Sequence, residues 1–218
     1  MEITRATYQQ SAYHEIRQLI VEGHLQPGSK VVVRELSERF GISPTPIKAA
    51  LSALERDGFL HATPHRGYFV PDVSLTDMRE IYELCETLDA LAARKVAMLP
   101  DHAEFALRTL RPLVERQRNH AGGAQGPCSA DTGFHRAIWA RSGNQRLASI
   151  LENLGGQTRL ASSLTESTWS PSAALREHEA IKDAVAAGDG DRAALLSAEH
   201  ARRSLEAFEV AWSSRREA

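Results

Sequence analysis

The chain has 218 residues, 42% of them hydrophobic, with 26 Lys and Arg against 28 Asp and Glu for a net charge of −2. That is enough apolar material for two modest cores, and too little net charge for a protein that grips polyanions by bulk attraction. Two cysteines without a CxxC pair, no apolar run near the roughly 20 residues of a membrane span and no basic-then-apolar start exclude a disulfide framework, a zinc finger, a spanning helix and a signal peptide. A soluble, cytoplasmic, mainly α chain is expected.

In chain order, Tyr13, Ile16, Leu19 and Ile20 form an apolar stripe that stops at Gly23, which predicts a first helix. Gln26-Pro27-Gly28-Ser29 reads as a turn leading into the short β-branched run Val31-Val32-Val33. From Arg34 to Lys48 two short amphipathic helices are broken at Gly41, a residue that can end a helix in the left-handed conformation. Ser43 can cap the second helix, with Pro44 at its first position. There Ile47, Leu51 and Leu54 face inward, and Thr45, Lys48, Ala49, Ser52 and Arg56 are left outside, a small and basic face suited to a major groove. Residues 58–62 and 67–70 then read as two short strands around the basic tip Thr63-Pro64-His65-Arg66. Helix, helix-turn-helix and a two-stranded wing make a winged-helix domain.

Three stretches of this segment resemble the DNA-binding domain of GntR-type bacterial transcriptional regulators. They are Leu25-Gln26-Pro27-Gly28, Arg34-Glu35-Leu36-Ser37 through Gly41-Ile42-Ser43 with Thr45-Pro46, and Leu54-Glu55-Arg56-Asp57-Gly58 followed by Arg66-Gly67-Tyr68-Phe69-Val70. The resemblance implies DNA contacts at Arg34, Thr45 and Lys48, and at His65, Arg66 and Gly67 on the wing; Ser52 joins them from the exposed face. Pro44 and Lys48 stand where the family usually has arginines. A bidentate Arg–guanine pair contributes about 1–3 kcal/mol of discrimination, which a point-charge Lys and a donor-less Pro do not reproduce. Residues 1–72 carry eight Lys and Arg against eight Asp and Glu, so DNA contacts must be locally organised, as in a homodimer on a two-fold operator.

A boundary is expected at Pro71-Asp72-Val73, giving a winged-helix domain over 1–72 and an all-α domain over 73–218. Beyond it strand signals stop, and amphipathic segments at 75–98, 101–119, 130–141, 144–165, 172–187 and 191–213 predict an antiparallel bundle of about six helices. Asp131 and His135 lie four apart, one helical turn, on one face. His178 and His200 each lie eleven residues from Asp189, so a hairpin of the last two helices brings both imidazoles level. The remaining histidines show no such pairing and read as surface, wing or turn residues.

The bundle in turn resembles the FCD effector domain of the FadR-type branch, through Asp131-Thr132-Gly133-Phe134-His135, Ser142-Gly143-Asn144, Glu177-His178-Glu179-Ala180-Ile181 with Ala187-Gly188-Asp189, and His200. This implies one divalent metal per subunit on Asp131, His135, His178 and His200, with Zn the default and Ni, Mn or Fe compatible with the same donors. It also implies a neighbouring pocket for a small carboxylate. Cys85 and Asp89 replace a usual Arg and Glu of the first bundle helix, which leaves Arg94 and Arg159 as candidate carboxylate partners and Cys85 as a candidate contact. The expected protein is a ligand-controlled transcriptional repressor. The alternatives are a metal-dependent enzyme, disfavoured because no motif supplies a base or nucleophile beside the metal, and a dimeric DNA-binding protein whose metal is purely structural.

Overall fold

A computed structural model describes residues 5–120, 129–161, 165, 168 and 170–216; the side chains of 5–7, 120, 129–131 and 216 lie outside that description. The chain divides into two units, Met1–Ser74 and Leu75–Ala218.

In the first unit α1 (Arg5–Val21) packs on α3 (Pro44–Arg56), burying Ile16, Leu19 and Ile20 with Ile47, Leu51 and Leu54. Two polar fasteners fix the pair: Tyr13 Oη donates to Asp57 Oδ2 at 2.5 Å, and the Arg17 guanidinium lies 4.9 Å from the centre of the Phe59 ring. Between them α2 (Val33–Phe40) ends at Gly41, whose φ of 66° is the left-handed turn expected there. Ser43 precedes α3 in an extended conformation, but its side chain makes no capping hydrogen bond. Part of the reason lies in the sequence: a capping oxygen seeks the N–H of the second or third helical residue, and Pro46 at the third has none, which leaves only that of Thr45. A three-stranded sheet completes the unit in the order β1 (Lys30–Val31), β3 (Gly67–Phe69), β2 (His61–Thr63), all antiparallel, with Ala62 opposite Tyr68. Glu55 Oε1 accepts from Ala62 N and ties the hairpin to α3.

The second unit is helical among its described residues. Its elements are α4 (Leu75–Ala97), α5 (His102–Phe105), a π turn (Ala106–Leu110), α6 (Arg111–His120), α7 (Ser129–Arg141), α8 (Gln145–Leu160), α9 (Pro171–Ala186) and α10 (Gly190–Arg216). The helix expected over 101–119 runs without a gap from His102 to His120 and carries a π turn within it. Pro112 lacks the N–H that would reach the Arg108 carbonyl and its ring crowds it, and the wider π turn lies just before. The helix expected to reach 165 ends at Leu160. Val96, Leu110, Phe134, Leu151, Ile181 and Val185 form the centre of the core. Ser142-Gly143-Asn144 is the α7–α8 corner: Gly143 is left-handed and Asn144 caps α8 by accepting from Leu147 N.

Candidate functional site

Three helices of the bundle bring imidazoles to one point. His135 on α7, His178 on α9 and His200 on α10 hold their candidate ligand atoms within 4.8 Å of one another, and two of the three residues are buried. The α9–α10 hairpin places the His178 and His200 rings 4.8 Å apart, the level arrangement that equal spacing from Asp189 requires. Asp131 belongs to the first turns of α7, but its side chain lies outside the described residues.

The surroundings decide what the cluster can bind. His178 Nδ1 meets Gln117 Oε1 at 2.8 Å and His200 Nδ1 meets Glu177 Oε2 at 2.6 Å. Both partners are acceptors, so each ring donates from Nδ1, and a neutral ring held this way keeps its Nε2 lone pair for a ligand. His178 Nε2 then lies 3.2 Å from His135 Nε2. Two imidazole nitrogens so close need one positive centre between them, a proton or a cation. Burial, reinforced by nearby His200, pushes His135 down to about 3. His178 is held well below the usual imidazole range by burial first, then by His200 and His135. Convergent imidazoles, two of them held below their usual range and two oriented through Nδ1, are the donors a borderline divalent ion requires. The residues fit a metal.

Beside the cluster lies a cavity of about 120 Å³ lined from α4 by Tyr82, Cys85 and Asp89, and from α7 by Thr132, His135 and Trp139. The far walls include Gly155, Thr158 and Arg159 of α8, and His200, Ser204 and Phe208 of α10. Trp139 Nε1 donates to Asp89 Oδ1 at 2.5 Å, and Arg159 Nη1 donates to Thr132 Oγ1 at 2.6 Å. Burial pushes the Asp89 carboxyl up to about 6, against the opposing effects of the Trp139 hydrogen bond and His200. Burial and then Asp89 hold the Cys85 thiol well above its ordinary range, so it lines the cavity as a protonated, unreactive group. Arg159 and Cys85 therefore meet at the cavity. Arg94 lies elsewhere, half-exposed in an ion pair with Asp191 at 2.9 Å.

Several contributors carry weak or no sequence signal. Gln117 is 61 residues from His178 and belongs to a helix with no motif of its own. Glu177 adjoins His178 in the chain, yet serves His200 on the next helix. Trp139 follows His135 by one helical turn, so its place on the same face was open to inference from spacing.

On the first unit the DNA-contact candidates form no buried cluster. Arg34, Thr45, Lys48, His65, Arg66 and Gly67 are exposed, and Ser52 is half-exposed and accepts from Arg56 Nη1 at 3.3 Å. Arg34 pairs with Glu38 on its own helix. At the wing tip His65 has φ 61°, a left-handed conformation uncommon outside glycine, and the Arg66 guanidinium lies 5.7 Å from the Phe69 ring centre.

Residues 8–70 match the family model described as bacterial regulatory proteins, gntR family, and residues 80–203 match the FCD domain. The uncharacterized HTH-type transcriptional regulator YdhC of Bacillus subtilis (strain 168) is 27% identical over 65% of this chain and 64% of its own length, so this chain spans just under two thirds of that relative. The HTH-type transcriptional repressor RspR of Escherichia coli (strain K12) is 24% identical over 88% of this chain and 84% of its own. Among solved structures E. coli McbR/YncC superposes with a TM-score of 0.72 at 20% identity, covering 94% of this chain and 98% of that one, a likeness of fold.

Proposed function

Because the chain belongs to the GntR family of bacterial regulatory proteins and carries an FCD domain, making it a transcriptional regulator, we propose that it is a metabolite-controlled repressor whose operator affinity is set at a metal-centred cavity in the second unit. The observation that carries this reading is the adjacency of three convergent imidazoles, two of them oriented through Nδ1, to a cavity lined by Arg159 and Asp89. A purely structural metal has no need of a cavity beside it.

His135, His178 and His200, with Asp131 from the resemblance, would hold one divalent ion, zinc first among the candidates. A bound ion supplies a positive centre with positions left for a ligand oxygen. Gln117 and Glu177 hold two of the rings to the tautomer that ligates, and Arg159, fixed by Thr132, offers the remaining fork of its guanidinium to a carboxylate. Control then follows from population shift: a ligand that favours one arrangement of the bundle changes, in a homodimer, how two winged helices meet adjacent half-sites. Arg34, Thr45, Lys48 and Ser52 would face the operator, with His65, Arg66 and Gly67 on the wing, in a cytoplasmic protein. The RspR name supports repression rather than activation.

The test is to isolate DNA fragments bound by the purified protein and measure operator affinity with metal, after chelation, and with a carboxylate library. Lys48→Ala is expected to weaken operator binding while leaving metal content unchanged; His178→Ala is expected to lose metal and effector response. Bound transition metal absent from unstripped protein, or unchanged in His178→Ala, sinks the reading.

A further inference from the structure

The cavity carries one cation and one anion that the described residues leave without an ion pair. Among the described residues Arg159 makes one hydrogen bond, to Thr132, and Asp89 makes one, to Trp139. Both line the same space, and they do not pair with each other. Charges taken from water without a partner are costly, so a ligand that supplies both partners gains more here than one that supplies either. We propose that the cavity takes a small amino-carboxylate zwitterion, its carboxylate on Arg159 and its ammonium on Asp89. This rests on the reading of the cavity as the effector site.

The fixed geometry of both groups supports the assignment. Thr132 occupies one of five guanidinium donors and leaves a fork for a planar carboxylate. Trp139 pins Asp89 Oδ1 and leaves the acceptor capacity of the second oxygen to a donor in the cavity. Trp139 is itself seated by Gly155, where a Cβ would come within 2.7 Å of the indole ring, so the indole, and with it the carboxylate it holds, has little room to move. The rest of the α4 wall, Tyr82 and Cys85, carries no cation, so nothing on that wall competes with an incoming ammonium for Asp89. A second carboxylate placed at Asp89 would meet a like charge, and a simple amine would leave Arg159 unmatched. Phe208, Trp139 and Ala201 leave room for a short apolar side chain.

The experiment uses the full-length zinc-loaded protein, titrated calorimetrically with the twenty L-amino acids, β-alanine and γ-aminobutyrate, and in parallel with propanoate, butanoate and succinate. Thermal shift is the second readout. An amino-carboxylate is expected to bind at least about tenfold more tightly than its des-amino counterpart, and Asp89→Asn is expected to bring the two to about equal affinity while the des-amino affinity holds. Arg159→Met should weaken both series. Circular dichroism and zinc stoichiometry verify that each variant is folded and loaded. Des-amino acids binding as well as amino acids, with Asp89→Asn without effect, would overturn the zwitterion and leave acid sensing standing. If no carboxylate of either series binds the loaded protein, both readings fall.

Discussion

A histidine ligand is only as good as the group behind it, and this cluster has two different kinds. Behind His178 stands a neutral amide, Gln117; behind His200 stands a carboxylate, Glu177, which is itself held by Arg203 Nε at 2.6 Å. A carboxylate fixes the tautomer and also makes the ring a stronger donor. Glu177→Gln keeps an acceptor in place and removes the charge, so zinc affinity, measured by competition with a chelator, is expected to fall about 10- to 100-fold without loss of fold. Asp89 gives a second residue-scale prediction, in metal-stripped protein. Its folded value of about 6 lies above the usual 3.8, so the folded state holds the proton more tightly, and the stability this group contributes is lost as pH rises from about 4 to 6. Asp89→Asn is therefore expected to melt above the parent at pH 7.5, with the gap closing near pH 4. Equal melting temperatures at both pH values would contradict the buried charge.

At the scale of elements, local rules made most of the architecture legible. The apolar spacing of Ile47, Leu51 and Leu54, the break at Gly41 and the six amphipathic runs after Ser74 all depend on neighbours within a few residues, and the helices appear where those runs lie. Departures arose where two local rules competed, as when Pro46 removed one of the N–H groups that Ser43 could have capped and a π turn formed just before Pro112 inside the expected helix. The levelling of His178 and His200 was legible because the α9–α10 hairpin is local, whereas His135 joining them was implied by the family resemblance. Gln117 was not, because nothing near it in the chain marks α6 as the helix behind His178. Two glycines separate these kinds of constraint. At Gly41 an added Cβ meets nothing within 4 Å, so Gly41→Ala should cost only the left-handed strain, about 1 kcal/mol. At Gly155 the backbone tolerates alanine but the Trp139 ring does not, and Gly155→Ala is expected to cost about 1–3 kcal/mol and weaken the Trp139–Asp89 bond. Denaturant melts of the two variants, with indole fluorescence reporting on the tryptophans, distinguish strain from displacement.

The whole chain holds two cores, each buried within its own unit: Ile16, Ile47, Leu51 and Phe59 in the first, Phe134, Leu151, Ile181 and Phe208 in the second. All three histidines of the cluster belong to the second. A ligand that binds only the native state stabilises by RT ln(1 + [L]/Kd), about 2.7 kcal/mol at a hundredfold excess over Kd, and it stabilises only the cooperative unit that contains its site. Calorimetry of the full chain is therefore expected to show two transitions, of which zinc at that excess raises the one belonging to Leu75–Ala218 by roughly 10 °C and chelation reverses it. Gly41→Ala supplies the complementary perturbation: it should lower the transition of Met1–Ser74 by about 4–8 °C and leave the zinc-dependent one in place. If zinc instead moves both transitions together, the units unfold as one, and the coupling that carries an effector signal to the winged helix is already present in the free protein. If zinc moves neither, the imidazole cluster is not a metal centre, whatever its geometry.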